Sequence, residues 1–256
     1  MIIAQISDLH IGAPGQPIFG HIDTAACLAR CVSNMLLLQP RPDVVVASGD
    51  LVNTGAPEEY RHLGKLLAPL PMPVYLMPGN HDERSALRTS FGDHDYFSSE
   101  GTLHFAIESE AVRLIMLDSV VAGRDSGALD ACQMEWLEMT LAAAPHRPTL
   151  IFMHHPPIMT GIPYMDEIAL AADDAAKLAA LVARHPRIER ISCGHVHRAV
   201  QARWSGTTVG ICPSTAFAYT LDLRGEGLAV TAEPPAYQVH YWNGAQLTTH
   251  TVQVVD

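Results

Sequence analysis

IIAQISDLHIG, residues 2–12, reads as a strand that runs straight into chemistry. Ile2–Ser7 is a short apolar run of the kind a sheet buries. It gives way at once to Asp8 and His10, and alternate spacing sends both side chains the same way. The pattern recurs in VVVASGD (44–50), VYLMPGNHD (74–82), TLIFMHH (149–155) and RISCGHVH (190–197). In open α/β sheets, the edge where strands end is where sites are built.

Between these blocks, apolar runs alternate with amphipathic stretches, which predicts a mixed α/β sheet covered by helices. Strands are expected at Ile2–Ser7, Asp43–Ser48, Val74–Met77, Leu103–Ile107, Arg113–Leu117, Thr149–Met153, Arg190–Cys193 and Thr207–Cys212. Helices are expected at Thr24–Leu38 behind an Asp23 cap, at Pro57–Leu67, at Ala131–Ala143 behind Asp130, and at Ala171–Arg184. YQVHYW and AQLTTHTV flank Asn243-Gly244, a strong hairpin signal. Segments 83–101 and 157–170 read as irregular and suit loops over a site. Pro156-Pro157 and Pro234-Pro235 mark turns without a long linker, so 1–256 is expected as a single domain, with 228–255 completing a sheet or forming a subunit interface.

The 256 residues are 48% hydrophobic and 17% charged, ample material for a core. Sixteen Lys and Arg against 27 Asp and Glu give a net charge of −11, which repels an extended nucleic acid. No apolar run approaches a membrane span, and the start lacks a cationic region and cleavage site, so a cytoplasmic protein is expected. Five scattered cysteines, Cys27, Cys31, Cys132, Cys193 and Cys212, are poor material for a disulfide framework and read as small hydrophobes.

Oxygen from Asp8, Asp50 and Asn80, with nitrogen from His10, the His154-His155 pair, His195 and His197, is too large a donor set for one tetrahedral zinc. It suits two divalent ions. A pair of ions about 3.5–4 Å apart needs a group that reaches both, and a carboxylate has two oxygens for it. Asp50, midway in the set, is the expected bridge. Two divalent cations against two carboxylates leave about +2 at the centre, a local field for a phosphate anion despite the acidic exterior. Gly49, Gly79 and Gly194 fit tight turns that pack backbone beside such a centre.

DLH, GDLVN, GNHD, HHPP and GHVH, spread over residues 8–197, resemble the motif series of the calcineurin-like metallophosphoesterases. GDLVNTGAPEEY, YLMPGNHD, IFMHHPPIM and CGHVH are similar to its bacterial branch of cyclic-nucleotide phosphodiesterases and glycerophosphodiesterases. The resemblance implies a four-layer α/β/β/α sandwich with mixed sheets and a dinuclear site at the C-terminal ends of strands. It implies that Asp8, His10, Asp50 and His197 hold one ion, and that Asp50, Asn80, His154 and His195 hold the other. His155 is then left to support or to the core.

The implied activity is hydrolysis of a small phosphodiester, a cyclic nucleotide or a glycerophosphodiester, with phosphonate monoesters also eligible. Attack by a metal-bound hydroxide is the expected route. His81 binds a phosphate oxygen or protonates the leaving alkoxide, and is grouped as catalytic with Asp50 and Asn80. Asn53 and Phe217 are candidate substrate contacts beside His81, and Asp82 is expected to cap the next helix. Phe217 stands where the glycerophosphodiesterase branch carries a further histidine, and an apolar ring cannot donate a proton. Mn, Fe, Zn and Co all suit mixed N/O ligation. A phosphomonoesterase on the same core and a non-catalytic metal-bound binding module are the alternatives, and at least a homodimer is expected.

Overall fold

Three strands, VVVAS at 44–48, RLIML at 113–117 and TLIFM at 149–153, are buried at every residue, as strands covered on both faces require. They belong to two different sheets. The computed structural model of the chain describes residues 1–231 and 233–255. Its first half runs β1 (Ile2–Ile6), α1 (Thr24–Leu37), β2 (Val44–Ser48), α2 (Pro57–Leu67), β3 (Val74–Met77), α3 (Arg84–Ser90), β4 (Phe105–Ile107), β5 (Arg113–Leu117) and α4 (Ala131–Ala143). The second half runs β6 (Thr149–Met153), α5 (Pro163–Glu167), α6 (Ala172–Val182), β7 (Ile188–Cys193), β8 (Val200–Trp204), β9 (Thr207–Ile211), β10 (Ala218–Tyr219), β11 (Val230–Thr231), β12 (Ala236–Trp242) and β13 (Leu247–Gln253).

Of the two large sheets, the first has the order β13-β12-β1-β2-β3 and the second β4-β5-β6-β7-β9-β8, while β10 and β11 pair antiparallel as a separate ribbon. Within them β1, β2 and β3 run parallel, as do β5, β6, β7 and β9. The sheets face each other across Ile3, Val46, Met77, Leu114, Phe152 and Trp242. Helices α1 and α2 bury Leu28, Met35, Tyr60 and Leu63 on the outside of the first sheet. Leu137 of α4 and Leu178 of α6 do the same for the second. This is the expected four-layer sandwich, and each fully buried aliphatic side chain contributes about 1.5–3 kcal/mol.

Both anticipated caps are present. The Asp23 carboxylate accepts from the Ala26 N–H at 2.9 Å, and Asp130 accepts from the Gln133 N–H at 2.8 Å. Three expectations need correction. Strand β8 has no continuous apolar run, because Gln201 and Arg203 interrupt it, yet it pairs antiparallel with β9 from Val200↔Ile211 to Trp204↔Thr207. Helices α3 and α5 occupy parts of 83–101 and 157–170 read as irregular; at seven and five residues they are too short to show an apolar period. The terminal hairpin is not a two-residue turn: Trp242 pairs with Leu247, because the Asn243 side chain accepts from the N–H groups of Ala245 and Gln246, both at 2.9 Å, and holds a longer loop. The hairpin completes the first sheet through β12, antiparallel to β1; Ala232, inside 228–255, lies outside the described residues.

The interior between the sheets is not wholly apolar. The Gln5 amide donates to Ser48 Oγ at 2.8 Å and to the Cys193 carbonyl at 3.2 Å. Its Oε1 accepts from Ser192 Oγ at 2.6 Å and from His240 Nε2 at 3.0 Å. With Nε2 donating, His240 Nδ1 accepts from Thr249 Oγ1 at 2.9 Å, so the ring is neutral and satisfied. This strip joins β1, β2, β7, β12 and β13, and fixes how the two sheets sit on each other.

Burial, with Arg190 nearby, pushes the His240 ring down to about 3. The unfolded chain takes up that proton below about pH 6.5, while the folded chain refuses it until about pH 3. Stability from this group is therefore present above pH 6.5 and lost as the pH falls through that window. Urea unfolding is expected to show about 2 kcal/mol lost through His240 between pH 7 and pH 5. The His240→Gln variant should show a correspondingly shallower loss, and equal slopes for both proteins would mean that His240 titrates freely.

Candidate metal centre

Asp8, Asp50 and Asn80 follow β1, β2 and β3 of the first sheet, and His154 and His195 follow β6 and β7 of the second. All five turns meet at one edge of the sandwich. Asp8, His10, Asp50, His195 and His197 have φ of +52°, +44°, +48°, +75° and +60°. Left-handed backbone at a non-glycine residue is uncommon and costs of order 1 kcal/mol each, least for Asp, Asn and His. The chain accepts it where it must turn within one residue and point a polar side chain back over the strand ends.

Three glycines make the closeness possible, and a Cβ on the first, Gly49, would lie 2.4 Å from His154 Nδ1. A Cβ on Gly79 would lie 2.3 Å from both the backbone nitrogen and Oδ1 of Asp50, and one on Gly194 would lie 2.1 Å from Ser7 Oγ. Neither neighbour is free to retreat, since Ser7 and Asp50 are buried.

All seven expected ligands converge. Asp8, His10, Asp50 and His197 each turn a ligand atom into a group whose members lie within 4.8 Å of one another. His10 Nε2 is 3.1 Å from His197 Nε2 and 3.6 Å from Asp50 Oδ2, and His197 Nε2 is 3.6 Å from Asp8 Oδ1. Beside it, Asn80 Oδ1 is 3.1 Å from both His154 Nε2 and His195 Nδ1, and His154 Nε2 is 3.4 Å from Asp50 Oδ1. Asp50 thus gives one oxygen to each group.

The ligand spacing fits metal ions. Bonds of about 2.0–2.2 Å place neighbouring donor atoms roughly 3.0–3.5 Å apart in octahedral or tetrahedral geometry. Two rings are also set for coordination by partners behind them. His154 Nδ1 donates to the Ser48 carbonyl at 3.0 Å and His197 Nδ1 donates to the Phe217 carbonyl at 2.8 Å, which turns each Nε2 toward the carboxylates. His10 Nδ1 and His195 Nε2 are buried without partners, so these rings are not engaged elsewhere on those atoms.

Electrostatics follow the same geometry. Burial alone would raise the Asp50 carboxyl, yet His154 beside it, by charge and by hydrogen bond, holds it well below the usual carboxylate range. Asp8, more deeply buried with Asp50 close by, is raised despite His197 and His154. Burial works against a charged His154, but Asp50 and Asp8 carry it up to about 9. Burial keeps His10 and His195 neutral, well below the ordinary imidazole value.

His155 brings a ring nitrogen within 4.8 Å of those of His154 and His195, but both of its own are already engaged. Its Nδ1 accepts from Ser119 Oγ at 2.8 Å and its Nε2 donates to the Asp125 carbonyl at 2.9 Å, so it backs His195, with ring centres 4.7 Å apart. Asp82 departs from expectation. The cap of α3 is Glu83, which accepts from the N–H groups of Ser85 and Ala86 at 3.1 and 2.7 Å. Asp82, one residue earlier and buried, instead accepts from the Leu51 and Gly79 N–H groups at 3.0 and 2.8 Å and from the Tyr60 hydroxyl at 3.0 Å. It ties the Asp50 turn to the Asn80 turn. Burial, with the Asp50 charge adding to it, pushes its carboxyl up to about 7.

A cavity of about 450 Å³ opens beside His10, with His81, Asn53 and Phe217 in its wall. Exposed His81 donates its Nδ1 hydrogen to the Asn53 carbonyl at 2.8 Å. The Phe217 ring is buried against those of His10 and His197, at 5.1 and 4.6 Å. The remaining wall comes from Gly12, Ala13, Gln16, Pro17, Ile18, Phe19, Thr54, Glu59 and Tyr219, and among the described residues none of it comes from 83–101 or 157–170, the segments read as loops over a site. The carbonyls of Ser48 and Phe217 carry no signal of their role, since a backbone oxygen has no residue-type signature.

Two adjacent donor cages sharing one carboxylate, at the strand ends of a four-layer sandwich, define a dinuclear metal hydrolase. A profile described as calcineurin-like phosphoesterase matches residues 1–199, and the chain belongs to that family. The glycerophosphodiester phosphodiesterase GpdQ of Enterobacter lignolyticus is 35% identical over 252 residues, covering 98% of this chain and 90% of the relative. The 3′,5′-cyclic adenosine monophosphate phosphodiesterase CpdA of Escherichia coli is 30% identical over 213 residues, covering 83% of this chain and 75% of the relative. A dimetal phosphatase from Danio rerio has the same fold, with a TM-score of 0.69 at 14% identity over 100% of this chain and 99% of its own.

Gly79→Ala is expected to lower metal content from two ions per chain towards one or none, because the new methyl strikes the shared Asp50 carboxylate. Elemental analysis after dialysis against manganese checks this, and full occupancy in the variant would show that Asp50 is free to move.

Proposed function

We propose that the chain hydrolyses small phosphodiesters, cyclic nucleotides or glycerophosphodiesters, at a two-ion site bridged by Asp50. The observation that carries this reading is the division of the Asp50 oxygens between the two groups, with His81 on the cavity side of the first. Asp8, His10, Asp50 and His197 would hold one divalent ion and Asp50, Asn80, His154 and His195 the other, with Mn, Fe, Zn and Co all suited to the donor set. When bound, the ions activate water near neutral pH and neutralise charge growing on the phosphoryl oxygens.

The chain's own residues supply the rest. His81 keeps a hydrogen on Nδ1 for the Asn53 carbonyl, so Nε2 is the atom from which the ring passes a proton to the departing alkoxide. Asn53, in the cavity wall, orients that ring and meets the substrate. Phe217 backs two ligand rings and offers no proton, which concentrates acid assistance on His81. The cavity wall includes no Lys or Arg, which suits the single charge of a diester or a phosphonate monoester over the dianion of a monoester. We place the protein in the cytoplasm, supported by its five free cysteines, and expect a homo-oligomer. Light scattering at micromolar concentration tests the assembly, and a monomer removes it.

His81→Ala is expected to slow poor leaving groups by about 10²–10⁴ while leaving an activated nitrophenyl diester far less affected. Equal rates with full metal content for both leaving-group classes would remove His81 from the chemistry. Turnover of di- against mono-nitrophenyl phosphate tests the diester preference, and faster monoester cleavage would move the reading to a phosphomonoesterase. Chelation is expected to abolish both activities and manganese or zinc to restore them; loss without return would argue against metal dependence of the simple kind.

A further inference from the structure

Phe19 is a large apolar side chain left 57% exposed, on a backbone with φ of +52°. Both features are unfavourable for phenylalanine, which belongs to the residue types that avoid left-handed backbone and exposed surface. The position is not loose. Ile18 and Ile22 exchange backbone hydrogen bonds at 2.8 and 2.9 Å, and the Phe19 carbonyl accepts from His21 Nδ1 at 2.8 Å. A tight turn therefore holds the ring out.

The ring lines the same cavity as His10 and His81. It meets Phe217 edge-on at 5.2 Å, and Phe217 meets Tyr219 at 5.5 Å and the ligand ring of His10 at 5.1 Å. Aromatic faces thus continue from a metal ligand out to the cavity mouth, alongside Pro17 and Ile18. The aromatic side of this wall offers faces to a flat ring, while Gln16, Asn53, Thr54 and Glu59 supply polar groups on the rest of it.

We infer that Phe19 is a specificity-determining residue that stacks on an aromatic ring carried by an ester group of the diester, as a nucleoside carries its base. This rests on the phosphodiesterase reading and names its substrate class. Stacking of a base on an aromatic side chain is sequence-tolerant, so the preference is for the ring as such.

The test compares 2′,3′-cyclic adenosine monophosphate with ribose 2′,3′-cyclic phosphate, the same cyclic diester without a base. In the wild-type holoenzyme the base is expected to raise kcat/KM by about tenfold, chiefly through KM. Phe19→Tyr should keep that ratio, and Phe19→Leu and Phe19→Ala should bring it close to one, with metal content and melting temperature as in the wild type. A wild-type ratio of one, or a ratio untouched in Phe19→Ala, overturns the inference. Failure to cleave either cyclic phosphate while bis(p-nitrophenyl) phosphate is hydrolysed also overturns it and leaves the diesterase reading standing. Failure on every diester removes the diesterase reading itself.

Discussion

One carboxylate shared between two donor groups governs this molecule. Asp50 stands where β2 ends, with Oδ1 toward His154 and Oδ2 toward His10. Its own backbone is left-handed, a Cβ on Gly79 would strike it, and the Leu51 N–H that follows it is taken by Asp82. Every one of these constraints keeps a buried negative charge in place, and a buried charge is tolerable only with compensating charge around it. The imidazoles supply part of that compensation, and a pair of divalent ions would supply the rest.

The two sheets are therefore not interchangeable supports. Oxygen donors come from the first sheet, through Asp8, Asp50 and Asn80, and the second contributes only imidazoles, through His154, His195 and His197. Bonds across the interface hold the halves in register: the His195 N–H donates to both Asp8 oxygens at 2.9 and 3.1 Å, and His154 reaches the Ser48 carbonyl. Deeper in, the Gln5 strip does the same with polar groups that are all satisfied.

The strand cores were legible because a strand buried on both faces is nearly all apolar, and the blocks that converge at the candidate centre were legible because Asp, Asn and His stand where those runs stop. Asp23 and Asp130 announced their helices through capping chemistry. Beyond this the residue types fall silent. Strand β8 alternates Gln201 and Arg203 with apolar residues at a sheet edge, and α3 and α5 are shorter than the period that would reveal them. Which of His154 and His155 faces the centre is decided by where their neighbours lie: Ser48 behind one, Ser119 and Asp125 around the other. Asp82 could not be read as a tie between turns until Tyr60, 22 positions earlier, was seen to meet it. Phe19 looked like any loop residue until its turn and its exposure were known.

The division of donors between the sheets has a consequence for how such a centre can be moved or rebuilt. No fragment confined to one sheet contains a complete cage, since each cage draws on residues from both. Grafting the loops onto a foreign scaffold would reproduce the side chains without the angle at which two sheets present them. Metal capture is in this sense a property of the whole sandwich, acquired only when its two halves have docked.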